Sequence, residues 1–187
     1  SRSNYLPLLE LAVMEDPDND RNMHYLGREY MFHREWEKAI ETLKRHLKLP
    51  SAVWAPERAA SMRYIARCYN ALGDFDAAEL WLSRAIVTAH DYREPWVEME
   101  RLMYDQERWD GVIYYGYMAV GIGRRKLDYI SDPEAWGSLP WDLLSIAHYK
   151  LGDMRHAREC AEKALEFSPG DERIKKNLTF MREDKQK

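Results

Sequence analysis

Three arginines, Arg28, Arg67 and Arg101, stand 39 and then 34 residues apart in this chain of 187 residues. Each lies in a stretch whose apolar residues recur at helical spacing, so the three hold equivalent places on successive helices. A guanidinium fork matches a carboxylate or a phosphate through paired N–H···O bonds. A ladder of three would suit an anionic ligand. Arg63, Tyr104, Asp142 and Tyr149 fall on the same helical face and complete a candidate set of ligand- or partner-binding residues. A second reading stays open beside the first: Glu29, Glu94, Glu98 or Glu100 would neutralise the arginines in structural ion pairs. Tyr104, Tyr149, Trp54, Tyr129 and Trp136 would stack on a sugar ring or an apolar peptide, or else seal contacts between helices. Core packing accounts for Trp36, Phe75, Trp81, Trp96 and Trp109.

Other chemistry finds less support. Asp16, Asp18 and Asp20 begin like a calcium loop, but the sixth residue is Arg21 and the twelfth is Gly27. Asp16-Pro17-Asp18 also spells the Asp-x-Asp of metal-dependent sugar transferases, yet Asp and Pro at that place signal a helix stop and cap. Gly121-Ile122-Gly123 lacks the third glycine of a dinucleotide loop. The six histidines show no i, i+4 ligand spacing, and His46 is expected to pack. Cys68 and Cys160 are far apart and read as buried thiols. The sequence therefore predicts no catalytic residue, no metal and no cofactor.

Composition narrows the classes further. Twenty-eight basic and 32 acidic residues leave a net charge of −4, which gives no reason to expect nucleic-acid binding. No apolar run reaches the roughly 18 residues of a membrane span. Ser1-Arg2-Ser3-Asn4 leads into no apolar signal core, and two cysteines fit a reducing compartment. A cytoplasmic location is expected.

The elements that must position these residues repeat. Tyr25-Leu26-Gly27-Arg28-Glu29-Tyr30, Ile65-Ala66-Arg67-Cys68-Tyr69-Asn70-Ala71-Leu72-Gly73-Asp74 and Ile146-Ala147-His148-Tyr149-Lys150-Leu151-Gly152-Asp153 align, each ahead of a small residue: Ala39, Ala78 or Ala157. A further unit carries Trp96, Met99, Met103, Trp109, Val112, Gly116 and Ala119 in register, with Glu100 where the others have a small residue. This pattern resembles the tetratricopeptide repeat, a helix–turn–helix unit of about 34 residues. The resemblance implies an all-α fold, a right-handed superhelix of antiparallel helix pairs with about ten helices. Small residues let the two helices of a pair approach, and large ones fill the space to the next pair. In such arrays the first helices line a concave binding face, which is where the arginine ladder would lie.

The resulting organisation is a single array over 1–187. It comprises a half repeat at 1–19, repeat 1 with a spacer at 20–58, repeat 2 at 59–92, repeat 3 with a spacer at 93–137, repeat 4 at 138–171 and a capping helix at 172–187. The spacers lie in 49–56 and 121–138, the first ending in a Pro at a helix start. Asp171 is placed to cap the last helix, whose charged end, Arg182 to Lys187, would face solvent. Leu6, Leu8, Leu9, Leu11 and Val13 open the chain without a polar cap. This suggests a longer parent chain or a covering surface, a second copy of the chain included.

The chain also resembles the C-terminal region of bacterial family 2 glycosyltransferases. The similar segments are Tyr5-Leu6-Pro7-Leu8-Leu9-Glu10, Tyr25 to Tyr30, Met62 to Tyr69, Arg93-Glu94-Pro95-Trp96, Trp136 to Leu144 and Asp171-Glu172-Arg173. In that family an upstream domain with an Asp-x-Asp motif performs the transfer. The resemblance implies a non-catalytic accessory region with a protein, peptide or glycan acceptor and an upstream catalytic domain as partners. The alternative is a free-standing adaptor that binds peptides on its concave face.

Overall fold

A computed structural model of the chain describes residues 5–183. These residues form ten α-helices and one 3-10 turn, and no strand occurs among them. The all-α expectation and its helix number therefore hold. Residues 184–187, part of the charged end singled out above, lie outside the described residues, as do residues 1–4. The chain divides into two compact units, Ser1–His90 and Asp91–Lys187. No described helix is long and apolar enough to cross a membrane.

The first unit contains α1 (Tyr5–Glu15), α2 (Asp20–Phe32), α3 (Trp36–His46), α4 (Ala55–Ala71) and α5 (Phe75–Thr88). Each helix packs on the next, and α2 also packs on α4. Met23, Leu43, Ile65, Ala78 and Ala85 are fully buried at these contacts, each large one worth about 1.5–3 kcal/mol. Along α1 only Leu9 and Val13 are buried, against Met23 and Leu26, while Leu8, Leu11 and Met14 are exposed. The first spacer is tied down by Arg58, whose Nη1 donates to the carbonyls of Leu47 (3.0 Å) and Ala52 (2.8 Å). Pro56 stands in the first turn of α4, where its missing N–H costs nothing.

The second unit contains α6 (Arg93–Asp105), α7 (Trp109–Gly121), the 3-10 turn Pro133–Trp136, α8 (Leu139–Lys150), α9 (Met154–Phe167) and α10 (Glu172–Glu183). Asp171 caps α10 by accepting from the backbone N–H of Arg173 and Ile174, at 3.0 and 3.1 Å. Ile174 and Leu178 then close the core over Ala161 and Ala164. Of the aromatics assigned to the core, Trp96 is buried and Trp36, Trp81 and Trp109 are half-buried. Phe75, the first residue of α5, is instead exposed.

The turns within the pairs α2–α3, α4–α5, α6–α7 and α8–α9 are alike. Each has three residues, which sends the second helix back along the first. In each, a backbone N–H reaches five residues back at 2.9 Å: Glu35 to Tyr30, Asp74 to Tyr69, Arg108 to Met103 and Asp153 to His148. The middle residue takes a positive φ: 61° at Arg34, 81° at Gly73, 56° at Glu107 and 82° at Gly152. Glycine adopts that conformation without steric cost, whereas Arg34 and Glu107 hold it under strain.

Candidate binding site

In the first unit, α2 and α4 carry Arg28, Arg63 and Arg67. The Arg28 guanidinium lies 4.7 Å from the Tyr25 ring centre and 5.9 Å from that of Phe32. Its buried Nε has no hydrogen-bond partner. Arg63 and Arg67 flank the Tyr64 ring at 5.7 and 5.5 Å. Arg63 is only 2% exposed, so it offers a ligand far less than the half-buried Arg28 and Arg67 do. The turn at 16–19, which holds Asp16 and Asp18, leads into α2, capped by the Asn19 side chain on the backbone N–H of Asn22 (3.0 Å).

Beneath these arginines runs a buried polar chain that sequence reasoning missed. Ser61 Oγ lies 2.8 Å from His24 Nδ1 and 2.9 Å from His46 Nδ1, and His46 Nε2 lies 3.3 Å from Glu57 Oε1. One proton assignment satisfies all three contacts: His24 donates to Ser61, Ser61 to His46, and His46 to Glu57. His46 is thus buried, as expected, but in a polar chain rather than by packing alone. A hydroxyl beside an imidazole and a carboxylate has the parts of an acyl-transfer site. All four side chains are buried, so no substrate reaches the hydroxyl and the chain is structural. His24 Nε2 is left without a partner. Burial pushes the His24 imidazole down to about 3, with the charge of Glu57 opposing and His46, Arg28 and Arg63 reinforcing.

In the second unit the structure gives Arg101 and Asp142 internal partners. The exposed Arg101 donates to Glu134 Oε2 at 3.2 Å. Asp142 is buried and accepts both Nη atoms of Arg173, at 3.2 and 2.6 Å. Three of the four acidic residues weighed as arginine partners have these surroundings. Glu29 faces His33 at 3.7 Å. Glu94 Oε1 accepts from the Trp136 indole (2.9 Å) and the Asp132 backbone (3.1 Å). Both carboxyl oxygens of Glu100 are buried with no hydrogen-bond partner.

Trp136 belongs to a clamp on the second spacer. Arg93 lies 4.0 Å from the Trp136 ring centre, and its Nη2 donates to the Ile122 carbonyl at 2.6 Å. Tyr92 donates to Asp128 Oδ2 at 2.7 Å, and Lys126 pairs with Asp91. Tyr104 meets Trp109 edge to face at 5.7 Å. Tyr149, by contrast, borders open space. Ile146, Tyr149 and Lys150 of α8, with Asn177, Phe180 and Met181 of α10, line a recess of about 220 Å³.

Among the described residues, two groups could hold a metal ion. Asp20, His46 and Glu57 converge in the first unit, and His148, Asp153 and His156 in the second. The histidine spacing hid the second group, because His148 and His156 are eight apart and meet only across the α8–α9 turn. The cysteines are buried. Burial pushes the Cys68 thiol up to about 12 and raises that of Cys160 as well. Neither is a reactive thiolate.

A family model described as a tetratricopeptide repeat matches residues 26–93, and a second of the same description matches 140–171. No curated protein matches the sequence. Among solved structures, MamA is 19% identical, with 90% of this chain and 89% of that chain covered and a TM-score of 0.70. A thermophilic TPR protein of Thermus thermophilus is 16% identical, with 96% and 90% covered and a TM-score of 0.66. YrrB, described as a TPR protein with an unusual peptide-binding site, is 13% identical, with 92% and 80% covered and a TM-score of 0.63. At such identities these likenesses speak for the fold alone.

Proposed function

We propose that this chain, which carries tetratricopeptide repeats and so is a protein–protein interaction domain, docks an extended peptide segment of a partner protein on α8 and α10. The recess between them carries this reading. At about 220 Å³ it is smaller than the roughly 300–1,000 Å³ of small-molecule pockets, and it suits one apolar side chain of a peptide. Ile146, Tyr149, Phe180 and Met181 supply the apolar walls. The Asn177 carboxamide can bond a peptide backbone, and the exposed Lys150 can pair with an acidic residue beside the anchor. In the first unit, Arg28 and Arg67 offer a separate anchor for an acidic group. The peptide-binding site described for YrrB supports the same class of ligand.

Peptides selected from a random library against the whole chain test this reading by fluorescence anisotropy. Ile146→Glu and Tyr149→Ala should each weaken the selected peptides at least tenfold, and Arg28→Ala should weaken acidic ones. Unchanged affinity in both α8 variants would remove the recess from the binding site. The accessory-region reading, with a glycan acceptor and an upstream catalytic domain, rests on sequence resemblance alone. None of the matched families and structures named above is a sugar transferase. Saturable binding of an oligosaccharide that displaces the peptide would revive it.

A further inference from the structure

The α8–α9 turn brings together two imidazoles and a carboxylate that peptide docking does not use. Asp153 Oδ2 lies 3.6 Å from His148 Nδ1 and 2.5 Å from His156 Nδ1. The two imidazole rings are 5.1 Å apart between centres. The fold sets each group independently. Asp153 caps α9, its Oδ1 accepting from the His156 backbone N–H at 3.1 Å, which leaves Oδ2 between the two rings. His156 lies one helical turn beyond that cap, on the same face. His148 comes from the last turn of α8, and its ring is held from behind by the Tyr117 hydroxyl, 3.0 Å from Nε2.

We propose that His148 Nδ1, His156 Nδ1 and Asp153 Oδ2 bind a divalent first-row transition cation, with Zn²⁺ as the leading case. Two imidazoles and one carboxylate form a donor set that such ions favour. Zinc–ligand bonds of about 2.0–2.1 Å place tetrahedral ligands roughly 3.3 Å apart. The His148–Asp153 distance is already near that value, and the His156 ring has to withdraw from Asp153 by under about 1 Å. His156 has room to do so, because its side chain is 34% exposed. The ion takes the place of the proton between His156 and Asp153, and that proton moves to His156 Nε2. Arg155, which now donates to Nε2 at 3.0 Å, is 70% exposed and swings away. Tyr117 then accepts from His148 Nε2–H and holds Nδ1 toward the ion, the usual support for a ligating histidine. Three protein ligands leave the fourth position to water.

The other converging group, Asp20, His46 and Glu57, is a weaker candidate. His46 is fully buried and both its ring nitrogens are engaged by Ser61 and Glu57. The α8–α9 group, by contrast, is open to solvent through Asp153 and His156.

Calorimetric titration of the untagged, metal-free chain with Zn²⁺ tests the proposal, together with Co²⁺ absorption in the visible. One ion should bind per chain, with micromolar or tighter affinity, and Co²⁺ should give the intense bands of a four-coordinate site. His156→Ala, at a partly exposed position, should abolish both signals. Asp153→Asn keeps the cap oxygen and should weaken binding at least tenfold. Tyr117→Phe should weaken it about tenfold. Zn²⁺ should raise the melting temperature of the parent chain but not of His156→Ala. Absence of saturable binding below millimolar Zn²⁺ would overturn the proposal. So would a titration that His156→Ala and Asp153→Asn leave unchanged, because the ion would then sit elsewhere.

Discussion

A Cβ atom placed on Gly116 would lie 2.6 Å from Oε1 of Glu100. The carboxyl of Glu100 fills the space that a side chain at 116 would take. Gly27 and Leu43 show the opposite arrangement in the first unit, where a Cβ on Gly27 would meet Leu43 Cγ at 2.5 Å. In both pairs of helices one residue is large and its counterpart is glycine, but the roles are exchanged. Gly116→Ala should therefore destabilise the chain by about 1–3 kcal/mol through overpacking, read as a lower urea midpoint. A Cβ on Gly121 would have no neighbour within 4 Å, and its Ala variant should not show that loss.

Glu100 also makes stability depend on pH. Burial first, then the charge of Asp142, raises its carboxyl well above the ordinary 4.5. The unfolded chain releases this proton above about 4.5, while the folded chain retains it. The contribution of the group is thus whole below that pH and is lost as pH rises toward the folded value, by up to about 1.4 kcal/mol per pH unit. Glu100→Gln should be more stable than the parent at pH 8, and that advantage should vanish at pH 4. Denaturant midpoints at the two pH values provide the check.

His24 acts at the other end of the scale. Its folded value is about 3 against 6.5 for the free imidazole. Below 6.5 the unfolded chain takes up a proton that the folded chain refuses, so stability is whole above 6.5 and falls as pH drops toward 3. His24→Asn can keep the hydrogen bond to Ser61 without titrating. Its stability should fall less steeply between pH 6.5 and 4, whatever its absolute value, when followed by helical circular dichroism in urea.

Glu107 holds a φ of 56° in the α6–α7 turn, where Gly73 and Gly152 occupy the matching places of other turns. Glu107→Gly should relieve the left-handed strain and stabilise by about 0.5–1 kcal/mol after the entropy cost of glycine. A rise in melting temperature is the expected reading, and a fall would mean the strain is absent.

The Arg93–Trp136 clamp should govern access to the second spacer. Arg93→Met removes the charge-assisted bond to the Ile122 carbonyl, an interaction worth about 1.5–3 kcal/mol. Trypsin cleavage after Arg124 or Arg125 should then quicken roughly tenfold or more. Mass spectrometry of a digestion time course locates the cut.

Local features were legible from the chain alone because local chemistry makes them. The helix pairs follow apolar spacing of about 3.6 residues, and the turns at Gly73-Asp74 and Gly152-Asp153 need one residue of positive φ followed by a cap. Pro56 and Asp171 mark helix starts for equally local reasons. Side-chain partnerships depend on residues far away in sequence, and only the tertiary structure decides them. Helical spacing placed Arg101 and Asp142 on one face, but Glu134 and Arg173 reach them from 33 and 31 residues away. The missing small residue at 100 was visible, yet its compensation by Gly116 depends on how closely α6 and α7 approach. His148 and His156 looked unrelated, because a turn rather than a single helix face joins them. A sequence period fixes which way a side chain points along its own helix. What it meets there is set by the packing of other helices.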